Sequence, residues 1–148
     1  MQKETPDHHD ADIVLRLYEL RREPVMRDSR SRINADLWPA TATELMAVTQ
    51  RGHPLNAAFR QTSGYWEMAY GMARHGIVHG EYLMENNGEG IFLFARVEPY
   101  LTELRAAVAP PSQFRNAEWV TQHTARGREL LEFFRNRVRQ RLGARAGA

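Results

Sequence analysis

Apolar side chains recur along this chain at steps of three and four, and no stretch alternates apolar with polar long enough to make a sheet. The clearest seam runs through Leu55, Phe59, Thr62, Trp66, Ala69 and Ala73, which align on one face of a helix. Before it, Ile13, Val14, Leu17 and Leu20 share a face of a first helix that Asp10 or Asp12 can start. Pro24 fits the first turn of a second helix, less clearly amphipathic, which carries Val25, Met26, Ile33 and Leu37. Pro39 stops it, and Thr41 and Glu44 stand at capping-box spacing ahead of Leu45, Met46 and Val48; Gly52 ends this short third helix.

Beyond the central seam, "EYLMENNGEG" reads as a short helical turn ending in Asn86, Asn87 and Gly88. "IFLFARVEPYLTELRAAV" then begins apolar on nearly every side and continues the seam through Phe94, Val97, Leu101, Leu104 and Val108. Pro99 lacks a backbone donor and crowds the carbonyl of Ala95, so a kink is expected there. After "APPSQFRN", with Ser112 as a cap, a last stripe runs through Ala117, Val120, Thr124, Gly127, Leu131, Phe134 and Val138. The pattern predicts an all-α fold: an irregular, mostly antiparallel bundle of six to seven helices, with long helices near 54–75, 89–108 and 112–142. Residues 1–10 are expected as a flexible tail, 11–142 as a single helical domain and 143–148 as a frayed end.

Composition narrows the classes of function. At 148 residues, 43% hydrophobic and 26% charged, the chain can bury its own core. It has no cysteine, which excludes disulfides and thiolate metal sites. No basic-then-apolar leader opens it and no run approaches the about 18 apolar residues of a membrane span, so a soluble cytoplasmic protein without a membrane partner is expected. The net charge is only +2, yet of the twenty basic residues Lys3 alone is a lysine. The charges are segregated. Arginines crowd 16–32 and the segment from Arg126 onward, while glutamates dominate 81–103. Such blocks can pair within the fold, between two copies, or with a partner, nucleic acid included.

Candidate chemistry centres on "MARHGIVHGEYL". Helix-end geometry accounts for it fully: Arg74 and His75 complement the negative end of a helix, Gly76 takes a left-handed C-cap position, and Ile77 and Val78 fold back onto the core. The same residues, Arg74 to His79, resemble the arginine–polar–histidine motif of the HEPN-type helical ribonucleases. That resemblance implies Arg74 against phosphate charge and His79, with His75 beside it, moving a proton as an RNA 2′-hydroxyl attacks. His75 and His79 have metal-ligand spacing only on a helix continuous through Gly76, which the glycine opposes. His8, His9 and Asp10 could hold a metal adventitiously; no metal site and no cofactor is expected.

Gly64 and Gly71, at seven-residue spacing with Ala57, cost about 1 kcal/mol each inside a helix, so a close neighbour, helix or flat ligand, is expected on their face. Trp38, Trp66 and Trp119 are expected as core or interface anchors.

The stretches "LRREPVMRDSRSRI", "SGYWEMAYGMARHGIVHGEYL" and "RVEPYLTELR" together resemble a small bacterial all-helical domain of unknown function, over residues 12 to 105. The resemblance implies helices and carries no catalytic residues. The expected function is a non-enzymatic module that binds another protein or itself. The alternatives are a metal-independent ribonuclease or RNA-binding protein using Arg74 and His79, and a bundle that binds a small ligand against Gly64 and Gly71.

Overall fold

In the computed structural model, which describes residues 3–146, the central seam becomes α4 (Asn56–Arg74), and all six of its positions are buried. Ahead of it come α1 (His8–Arg21), α2 (Pro24–Asp36) and α3 (Ala42–Val48). After it come α5 (Gly80–Asn86), α6 (Glu89–Val97), a 3₁₀ turn (Glu98–Tyr100), α7 (Leu101–Ala107), α8 (Arg115–His123) and α9 (Ala125–Ala146). No strand occurs among the described residues. α2 and α8 both pack against α4, α9 lies across α5, α6 and α8, and α7 sits beside α3. One cluster of buried apolar side chains runs from Val14 to Val138 through the space they enclose.

The all-α bundle matches the pattern in the sequence, but two of the three long rods are broken. The 89–108 rod bends at Pro99, where the helix tightens into the 3₁₀ turn before α7 resumes. The 112–142 rod is two helices meeting at Thr124, whose backbone is extended (φ −124°, ψ 142°). The Thr124 hydroxyl donates to the Val120 carbonyl at 2.6 Å and accepts from the Gly127 N–H at 2.9 Å, so one side chain ends α8 and caps α9. A Cβ on Gly127 would overlap the Val120 carbonyl oxygen, and only glycine lets the two helices approach this closely. Ser112 does not cap α8. The cap position is Phe114, held at φ 62° by burial of its ring near Phe59 and Phe94.

Both expected ends differ as well. Residues 8–10 belong to α1 rather than to a tail, because Asp7 and Asp10 form a reciprocal capping box. Residues 143–146 continue α9, and 147–148 lie outside the described residues.

The corner makes a paired prediction. Gly127→Ala should lower unfolding stability by about 3 kcal/mol in urea titration, because the added methyl has a backbone atom in its way. Gly143→Ala, with no atom within 4 Å of its new Cβ, should be neutral or stabilising by up to about 1 kcal/mol. Equal midpoints for the two variants would contradict the close corner.

Candidate functional site

The junction between α4 and α5 is built as a helix end. The N–H of Gly76 reaches the Ala73 carbonyl at 3.0 Å and that of Ile77 reaches Met72 at 2.8 Å, with Gly76 at φ 73°. These two bonds are a Schellman motif. Val78 folds back and is buried, whereas Ile77, expected beside it, is 54% exposed. Gly76 therefore ends α4, and His75 and His79 do not lie on one continuous helix.

Each polar side chain of the junction has a place in the chain's architecture or faces solvent. Arg74 donates to the Asn116 side-chain oxygen at 3.3 Å. His75 is exposed. His79 is the N-cap of α5: its Nδ1 accepts from the Tyr82 N–H at 3.1 Å, and Nε2, left with the proton in the neutral ring, faces the Glu4 carbonyl at 3.3 Å. The backbone N–H of His79 donates to Asp10 at 2.9 Å.

That last bond belongs to a feature the sequence pattern does not announce. Asp10 is fully buried, and its carboxylate also accepts from the Lys3 ammonium at 2.8 Å and from its own cap, the Asp7 N–H, at 2.8 Å. Burial alone would raise this carboxyl. The Lys3 hydrogen bond and the two backbone N–H groups outweigh it and hold the pKa at about 2. Asp10 thus fixes the start of α1 to the start of α5, 69 positions away. Expected as a candidate helix start and as part of a loose, adventitious metal trap, it is a structural tie between two helices. Among the described residues no group of three His, Cys, Asp or Glu side chains is arranged to hold a metal.

Gly64 and Gly71 part company. A Cβ on Gly71 would sit 2.8 Å from the Asn116 side chain, which is drawn over it by Glu67. Glu67 accepts from the N–H groups of Asn116 (3.0 Å) and Ala117 (2.8 Å), serving the N-terminus of α8, while Asn116 donates back to the Glu67 carbonyl at 3.0 Å. Burial raises the Glu67 carboxyl above its ordinary range, against those same N–H groups. Gly64 has nothing within 4 Å of a Cβ and lies on the exposed side of α4. It lines an open groove of about 400 Å³ with Met26, Arg60, Gln61, Tyr65 and Met68.

Arg96 is the other feature missed from sequence. It is only 2% exposed and makes no hydrogen bond or ion pair with a carboxylate; Glu89 attracts it from farther off. Its guanidinium donates to the carbonyls of Ile33 (2.8 Å), Leu37 (3.1 Å) and Phe92 (3.1 Å) and to the Asn34 side chain (2.9 Å). The rings of Phe92 and Trp38 lie 4.4 Å and 5.0 Å from it. Burial lowers its pKa to about 10, which leaves it charged at neutral pH.

A family model described as "Domain of unknown function (DUF4760)" matches residues 6–124. The chain belongs to this family. The match takes in the stretches whose pattern already resembled such a domain, and it spans α1 to α8, with α9 beyond it. No curated protein and no solved structure matches the chain. No helix among the described residues of this DUF4760 chain is long and apolar enough to cross a membrane.

Asp10 gives a pH signature. Its carboxyl is depressed from 3.8 to about 2, so its stabilisation is fully present above about pH 4 and is lost as pH falls toward 2. Asp10→Asn should flatten the acid limb of stability against pH in that window. At neutral pH it should cost about 2 kcal/mol, through the broken Lys3 pair and weakened cap. An acid limb unchanged by the substitution would contradict the assignment.

Proposed function

We propose that this DUF4760 protein is a non-enzymatic helical module that self-associates through the outer face of α4 around Gly64. The observation behind this reading is a helix-interior glycine with no use inside its own fold. Glycine there costs about 1 kcal/mol relative to alanine, and nothing within the chain approaches it. Gly71 and Gly127, by contrast, each admit a neighbour that a methyl would displace.

A second copy suits the surface. Arg60, Gly64 and Met68 form an exposed ridge at steps of four with its dip at the glycine. Two such ridges crossing about a twofold axis at Gly64 would set Met68 of one copy against the Arg60 stem of the other. Met68 is 46% exposed, and Val25, beside groove-lining Met26, is 55% exposed, so the apolar area lies where the contact needs it. The uses already found for Arg74 and for His79 favour this reading over ribonuclease chemistry.

Light scattering across a concentration series tests it. The expected result is a concentration-dependent dimer for the parent and a monomer of unchanged helicity for Gly64→Leu. Gly64→Ala should stabilise each protomer by about 1 kcal/mol while weakening the dimer, opposite signs that a merely structural glycine would not produce. A parent that stays monomeric throughout the series overturns the proposal.

A further inference from the structure

Two cations remain on α9 once the ion pairs are assigned. Arg135 pairs with Glu98, Arg139 bonds Asn136, and Arg145 reaches Glu44 and the Trp38 carbonyl. Arg137 and Arg141, one turn apart and exposed, have no hydrogen-bond or carboxylate partner among the described residues. Each is placed over a ring instead. Arg137 lies 5.7 Å from the Phe92 centroid and Arg141 lies 4.8 Å from that of Trp38. Beneath both rings is Arg96, so the contact order is Arg137, Phe92, Arg96, Trp38, Arg141: three cations and two aromatic rings. The buried member bonds only neutral oxygens, with the Glu89 carboxylate beyond ion-pair distance.

The rings and the outer arginines line an open groove of about 420 Å³, completed by Asn34 and Gln140. We infer that this groove binds a phosphate group, held between Arg137 and Arg141. Two guanidinium forks one turn apart can present paired N–H donors to a tetrahedral oxyanion. Gln140 adds an amide with no partner of its own among the described residues, and the Arg96 charge raises the local positive potential from below. An adjoining groove shares Trp38 and Arg141 but also holds Asp36 and the Glu44–Arg145 pair, and so is less suited to an anion. The arrangement favours a compact phosphorylated molecule; a phosphodiester backbone would offer the same chemistry.

Calorimetric titration of the whole chain with pyrophosphate, with a nucleoside monophosphate and with a short oligouridylate tests the site. Saturable binding of at least one probe is expected, weakened roughly ten-fold or more by Arg137→Gln and by Arg141→Gln, and unchanged by Arg16→Gln on distant α1. Both groove positions are exposed, and circular dichroism shows whether the variants keep their helices. Arginine-dependent binding of pyrophosphate or the monophosphate identifies a small ligand; the same dependence for the oligonucleotide alone identifies a polymer as the phosphate's source. Silence from all three probes, or binding that survives both substitutions, overturns the inference.

Discussion

A buried guanidinium whose hydrogen bonds all go to neutral oxygens is the constraint around which this fold is arranged. α2 ends at Asp36, with Leu37 in extended backbone and Pro39 soon after, so its last carbonyls find no continuing helix. Arg96, projecting from α6, supplies donors to two carbonyls at that end and to the Asn34 side chain. A cation there also meets the negative end of the α2 dipole, which helps keep it charged in the interior. Satisfying those groups fixes α6 against α2, and the rings that shield the guanidinium, Trp38 and Phe92, become the floor on which the C-terminal half of α9 lies.

The rest of the bundle applies the same device with the opposite sign. Five of the helices have nine residues or fewer, too short to be stable alone in water. Carboxylates from other helices hold several helix ends in the bundle. Glu67 of α4 serves α8, Glu81 of α5 accepts from the Ala125 and Arg126 N–H groups at the start of α9, and Asp10 of α1 serves the turn into α5. Arg30 and Glu89 join α2 to α6 through paired hydrogen bonds of 2.9 Å and 2.6 Å. Part of the segregated charge of the sequence pairs inside the molecule: Glu89 and Glu98 of the acidic middle meet Arg30 and Arg135 of the basic segments on either side. The residues proposed for recognition, Gly64 on α4 and Arg137 and Arg141 on α9, take no part in these ties.

Local information was legible and remote information was not. The α4 seam, the Pro24 and Pro39 boundaries, the Pro99 bend and the Gly76 terminator follow from side-chain spacing or from the φ that one residue allows, and each sits where the pattern placed it. The Thr124 corner escaped because Thr124 and Gly127 also fit the helical stripe; the competing hydrogen bonds that open the chain there depend on how α8 and α9 meet. Asp10, Glu67 and Arg96 escaped for a related reason. Their partners lie tens of residues away, and neither burial nor an unsatisfied carbonyl leaves a periodic trace. The Asp7–Asp10 spacing did contain a capping signal, hidden by the polar composition of the first ten residues. Gly64 and Gly71 looked alike in sequence and differ only through Asn116, which one has above it and the other lacks.

Urea unfolding of Arg96→Met is the most direct test of the central constraint. Methionine fills similar space and removes the buried charge, so a fold that merely tolerates Arg96 would hold its stability within about 0.5 kcal/mol or gain. If the guanidinium is what closes the end of α2, the Leu37 carbonyl and the Asn34 side chain lose their donor, and Ile33 keeps only its bond from the Leu37 N–H. The loss should cost about 2 kcal/mol, with faster amide exchange spreading from α2 into α6. Retained stability and retained exchange protection would contradict the account.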